Sequence, residues 1–231
     1  MRFGDLAIED VVKLALVCFG GAAATFVVYT AGYFSLVGPE FLGIYFDGNI
    51  ISGIVQVTPM VTGVTSICLF LYYWIYRLFC SFDDGEKIID FLLVIDKVLI
   101  IPIVATLFMD KDWLDLKAFI LLLSAFVIAG AVFFQNMHYG VVNYLSVSFL
   151  IFTLFNAVDI SGKASAYRDL TKDAPRYSLY TTDKNYVNVV VLRSTSNGVI
   201  VKSGNDIIFY GKDQIERLER DLKGIKQFKA K

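Results

Sequence analysis

Apolar residues along this chain gather into five long runs, Leu14–Val37, Ile51–Phe79, Phe91–Met109, Ala118–Phe134 and Val141–Val158. None shows the strict alternation of a half-buried strand, and each is close to or above the roughly 20 residues that a helix needs to cross a 30 Å hydrocarbon core. Beyond Val158 the pattern changes. From Tyr177 onward, short β-branched segments alternate with Gly, Asn and Asp turns. The pattern predicts a polytopic α-helical membrane protein of about five spans, with four as the alternative count. A transmembrane domain over 1–160 and a connector over 161–175 precede a small soluble β-rich unit over 176–231.

Within the first run, Gly20 and Ala24, and Gly21 and Thr25, repeat at four-residue spacing on one helical face. Small residues let two backbones approach in lipid, so these four are candidate helix-packing positions. Gly38-Pro39-Glu40 ends the run, and Phe41–Gly48 reads as an aromatic segment lying at headgroup level. The second run opens polar. Thr58, Thr62 and Thr65 share a face, with Gln56 nearby and a kink expected at Pro59. This is the candidate pore or polar face. Tyr72 to Arg77 (YYWIYR) closes the run as an interfacial belt.

The third run decides the topology. From Val98 to Met109 it is about 18 Å long as a helix, too short to cross; from Phe91 it is about 28 Å, which does cross. That longer reading places Asp96 and Lys97 inside the bilayer, with Asp90 at the edge, as candidate intramembrane polar residues. The fourth and fifth runs share a six-residue link, so they are antiparallel neighbours.

Strands are expected over Tyr177–Thr181, Tyr186–Leu192, Val199–Lys202 and Ile207–Tyr210, the second and third joined by a turn at Asn197-Gly198. Asp213 with Glu216 reads as a capping box for a helix whose apolar face is Ile215, Leu218 and Leu222, ending at Gly224. The tail adds Lys223, Lys226, Lys229 and Lys231, candidate contacts to a membrane surface or a partner. A meander of three or four strands plus one helix is too small to be comfortably stable alone. Its expected supports are further copies of the chain, a partner protein or the membrane face.

Composition reinforces this division. The chain of 231 residues is 56% hydrophobic and 19% charged, against about 25% charge in soluble domains. Residues 1–160 hold 7 basic and 14 acidic side chains, whereas residues 161–231 hold 14 and 8. With five spans and the tail inside, six Lys or Arg lie near span ends on the inner side and four on the outer. The positive-inside rule thus places the tail in the cytoplasm and the chain, multi-pass, in the cell (inner) membrane.

The same residues argue against an enzyme. There is no G-x-S-x-G, no H-E-x-x-H and no Walker glycine loop. The single histidine, His138, falls in the expected link between the fourth and fifth runs, and Cys18, Cys68 and Cys80 are scattered within or beside the runs. No metal site and no cofactor are expected, and the strands lack the stacked-aromatic pattern of an RNA-binding sheet. The partners expected are the lipid bilayer, further copies of the chain and a cytoplasmic protein. The function expected is a non-enzymatic, oligomeric membrane sensor or anchor; an oligomeric channel lined by the second span is the alternative. In layout alone, several spans before a tiny cytoplasmic β-unit, the chain resembles membrane components of some bacterial multi-protein systems, antiphage defence among them.

Overall fold

The computed structural model describes residues 8–80, 98–140, 144–171 and 175–220. The described chain is mostly helical and ends in an antiparallel sheet. Helix α1 runs Ile8–Val37, α2 Phe41–Phe79, α3 Ile100–Leu107, α4 Leu114–Tyr139 and α5 Tyr144–Thr171. Strands β1 to β5 follow at Arg176–Thr181, Asn185–Thr195, Gly198–Ser203, Asp206–Gly211 and Ile215–Arg220. Among the described residues, α1, α2, α4 and α5 are long and apolar enough to cross a membrane. Two compact units result. One holds residues up to Gly32 and Ser52–Ala164; the other holds Tyr33–Ile51 and residues from Ser165 onward.

In the first unit, Ile103 of α3, Leu121 and Ile128 of α4 and Ala157 of α5 form one core. Tyr72 of α2 packs with Phe134 of α4 in a second cluster. Glycine sets the closest approaches. A Cβ at Gly32 of α1 would collide with the Asp159 carbonyl of α5, and one at Gly53 of α2 with the Phe26 ring of α1.

In the second unit the strand order is β4-β3-β2-β1-β5, antiparallel throughout. Strands β4 and β5 occupy opposite edges yet are joined by one 3₁₀ turn, Lys212–Gln214. Four strand spacings amount to about 19 Å, and a single 3₁₀ turn advances only about 2 Å per residue. The sheet must therefore curl until its edges approach. Consistent with this, Tyr210 of β4 and Ile215 of β5 pack on the same buried cluster of Leu179, Val189, Val199 and Val201. The other face is apolar too, with Leu192 and Ile200 buried against Tyr33, Phe34 and Val37 of α1 and Ala166 of α5. A five-stranded sheet with two covered faces explains why Gly198, Val199, Ile200 and Val201 are buried in succession.

Two expectations are corrected here. The segment predicted as a helix capped by Asp213 and Glu216 is strand β5, pairing Leu218 with Leu179 and Arg217 with Tyr180. The free edge of β1 offers backbone partners that an isolated helix would not use, and Gln214, not Asp213, bonds the turn through the Gly211 N–H. Phe41–Gly48 is not a separate surface segment but the start of α2. The polar connector over 161–175, by contrast, is helical through Thr171, as its sequence suggests.

Two expected outcomes follow. Leu179 is fully buried, so Leu179→Ala lowers the opening free energy of the sheet by about 2–5 kcal/mol, read from hydrogen exchange of strand amides. Burial, and then the hydrogen bond with Tyr186, push the Tyr210 hydroxyl up to about 12. The folded sheet keeps that proton where an unfolded chain, titrating near 10, loses it. The resulting stability is complete below pH 10 and is lost as pH rises through about 12. Melting temperature against pH checks this: Tyr210→Phe flattens the decline over that window.

Candidate functional site

Strand β2 carries a bulge. Val191 pairs with Val201 and Arg193 with Ile200, leaving Leu192 as the extra residue. Before the bulge, Val189 and Val191 face the cluster inside the curl. Leu192 faces the helix ends, and Arg193 does so as well because it lies opposite Ile200. Bulges re-aim side chains in this way. Two consecutive residues thus point to one side.

Arg193 meets Asp169 of α5 there, Nη1 to Oδ2 3.2 Å. The same Nη1 donates to the Leu192 carbonyl at 2.7 Å. Its guanidinium lies 3.6 Å from the centroid of the Tyr33 ring, a cation–π contact. Tyr33, 1% exposed, donates its hydroxyl to Asp169 Oδ2 at 2.9 Å and approaches the Leu192 carbonyl at 3.3 Å. One ring thus joins α1, α5 and β2. Nearby, Lys202 of β3 donates to the Leu170 carbonyl at 2.6 Å, satisfying a backbone acceptor that the end of α5 leaves without a helical partner. The first turns of α2 complete the seat. A Cβ at Gly48 would collide with Ser196 Oγ in the β2–β3 turn.

This clasp is built from charge, aromatic face and backbone carbonyl. No nucleophile with an adjacent base lies in it, and among the described residues no three His, Cys, Asp or Glu side chains gather to hold a metal. Its chemistry is mechanical attachment.

The residues singled out from sequence lie elsewhere. Gln56, Thr62 and Thr65 are exposed on α2 and Thr58 is half-buried; the Thr58 hydroxyl donates to the Ile54 carbonyl at 2.7 Å. That carbonyl precedes Val55, whose oxygen loses its usual donor to Pro59. Gly20 and Gly21 face open space, while Ala24 and Thr25 are half-buried. Asp90, Asp96 and Lys97 lie outside the described residues, as do Lys223, Lys226, Lys229 and Lys231. Sequence reading missed Tyr33, Asp169 and Arg193. Their only local signal is an aromatic near the end of an apolar run and an acid in a polar stretch.

No protein-family model, no curated protein and no solved structure matches this chain.

The clasp is testable by a double-mutant cycle. Asp169 and Arg193 are about a third and a quarter exposed, so solvent screening limits their coupling to about 1 kcal/mol. Tyr33→Phe removes one buried hydroxyl and costs about 1 kcal/mol. Thermal unfolding of the detergent-solubilised protein measures both.

Proposed function

We propose that the protein is an oligomeric, non-enzymatic membrane sensor or anchor subunit whose C-terminal sheet is presented to a soluble partner in the cytoplasm. The observation that carries this reading is the Tyr33–Asp169–Arg193 clasp. It ties the sheet to the ends of two helices that are long and apolar enough to span a bilayer. A displacement of either helix is then felt at β2 without any chemistry.

Five crossings belong to this reading. Near the end of α2, Tyr76 stacks on Phe134 of α4 and its hydroxyl approaches the Met137 carbonyl at 3.4 Å. Near the other end of α4, Lys117 bonds the Met109 carbonyl and Ile103 packs with Leu121. Lys117 and Met137 are about 30 Å apart along the helix, the thickness of a hydrocarbon core. These contacts support a crossing by the third run, with the end of α2 and the end of α3 at opposite ends of α4. An odd number of crossings puts the two termini on opposite sides, and the lysine and arginine balance puts the sheet inside.

Protease access in sealed vesicles tests this arrangement. With the cytoplasmic face outward the sheet is cleaved and an N-terminal tag protected; right-side-out vesicles reverse both. Tag and sheet cleaved from the same side would overturn five crossings. For the partner, pull-down of the full chain from mild detergent recovers a soluble protein that Asp169→Ala with Arg193→Ala loses. Recovery of the chain alone under every condition would sink the sensor reading.

A channel is the second reading, favoured by Gln56, Thr62 and Thr65 remaining exposed on a helix whose apolar stretch is unburied by the rest of the chain. It requires a conductance in planar bilayers that Thr62→Val reduces.

A further inference from the structure

Helices α2 and α4 do not close completely against each other. Between them lies a half-enclosed, almost wholly apolar groove of about 170 Å³, lined by Tyr72, Ile75, Phe126, Val127, Gly130 and Phe134. Along α4 it extends from Phe126 to Phe134, about 12 Å of helix. Its floor exists because residue 130 has no side chain. A Cβ there would already stand 3.2 Å from the Tyr72 ring. The Tyr72 hydroxyl, the one polar group on the wall, is spent on the Phe126 carbonyl at 2.5 Å.

Depth and charge say what fills it. The groove lies at the level of the Tyr72-to-Arg77 belt, of which Tyr72 and Ile75 line it and the exposed Tyr73 and Trp74 suit the headgroup boundary. Arg77, exposed in the last turn of α2, is the cation at that level. Apolar cavities of this size bind hydrocarbon in preference to water. Arg77 stands two residues past Ile75, about 3 Å along α2, and an apolar slot beside an exposed cation at that level fits one molecule class. We propose that the α2–α4 groove is a binding site for a single anionic phospholipid, one acyl chain lying between Phe126 and Phe134 and the phosphate near Arg77. The proposal rests on the membrane reading above.

Native mass spectrometry of the full chain, purified in mild detergent and offered phosphatidylglycerol or phosphatidylcholine, tests it. Wild type is expected to hold one phospholipid per chain and to prefer the anionic one. Gly130→Leu fills the groove and reduces retention by about tenfold, and Val127→Phe does the same without adding a side chain at the Tyr72 contact. Arg77→Gln keeps the lipid but loses the preference for the anionic headgroup. Groove variants that melt like wild type yet retain lipid fully would overturn the site, as would a wild type that carries none. A groove occupied by a second copy would instead appear as a dimer that Gly130→Leu dissociates, which also overturns it. Alkaline carbonate extraction of membranes separates the two levels: release of the protein refutes the membrane reading, whereas retention with no specific lipid refutes the groove alone.

Discussion

Leu192 and Arg193 are adjacent in a strand and yet face the same side, and the attachment of sheet to helices depends on that departure from alternation. Without the bulge, Arg193 would point with Val191 into the cluster of Leu179, Val189 and Val201, where a guanidinium has no acceptor. With it, the cation reaches a carboxylate, a carbonyl and a ring face. Leu192 fills the apolar contact beside it. One inserted residue thus changes an unaffordable burial into a joint.

The joint matters because the sheet is small. Residues 176–220 supply one curled layer, and a layer of that size buries little surface by itself. Its second face is completed by Tyr33, Phe34 and Val37 from α1, by Phe41, Leu42 and Tyr45 from α2, and by Ala166 and Leu170 from α5. Ala166 is fully buried, and its methyl lets the end of α5 approach the sheet closely. The compact unit is therefore assembled from two separated stretches of sequence, Tyr33–Ile51 and the chain from Ser165 onward. Its stability and the placing of those helix ends are one physical problem.

That explains which parts could be read from the sequence. Long apolar runs yielded α1, α2, α4 and α5, and the break at Gly38-Pro39 falls where α1 ends, with Gly38 at φ +148°. The hairpin turn at Asn197-Gly198 and the four leading strands were also legible, because turn chemistry is local. Ile215 and Leu218, three apart, fit a helical face and not the alternation of a strand, and pairing with the edge of β1 overrides that local signal. Gly48, read as the end of a surface segment, is a helical residue kept small by Ser196. The clasp was invisible for a simpler reason. Tyr33 and Asp169 are 136 positions apart, and a bulge that brings Arg193 to them leaves no periodic mark.

Helix length follows from the same arrangement. At 39 residues, α2 is about 58 Å long, nearly twice a hydrocarbon core. Tilt would be the usual remedy for such an excess. Here its first eleven residues, Phe41–Ile51, belong to the compact unit of the sheet. The remainder is about 42 Å, matching a bilayer with its headgroup layers. The same division leaves Tyr144–Ala164 of α5 at about 31 Å, the core alone. Thus neither helix needs a steep tilt to hide surplus apolar length, since the surplus is core for the sheet. The stretch of α2 outside the sheet's unit, mostly exposed, has the length of a bilayer with its headgroup layers. Gln56 and Thr62 are exposed within it, and hydrocarbon would offer them no hydrogen bonds. Thr62 can turn its hydroxyl back onto its own helix as Thr58 does, but a glutamine amide has two donors and an acceptor to place. Of the two, Gln56 is therefore the costlier to place in hydrocarbon.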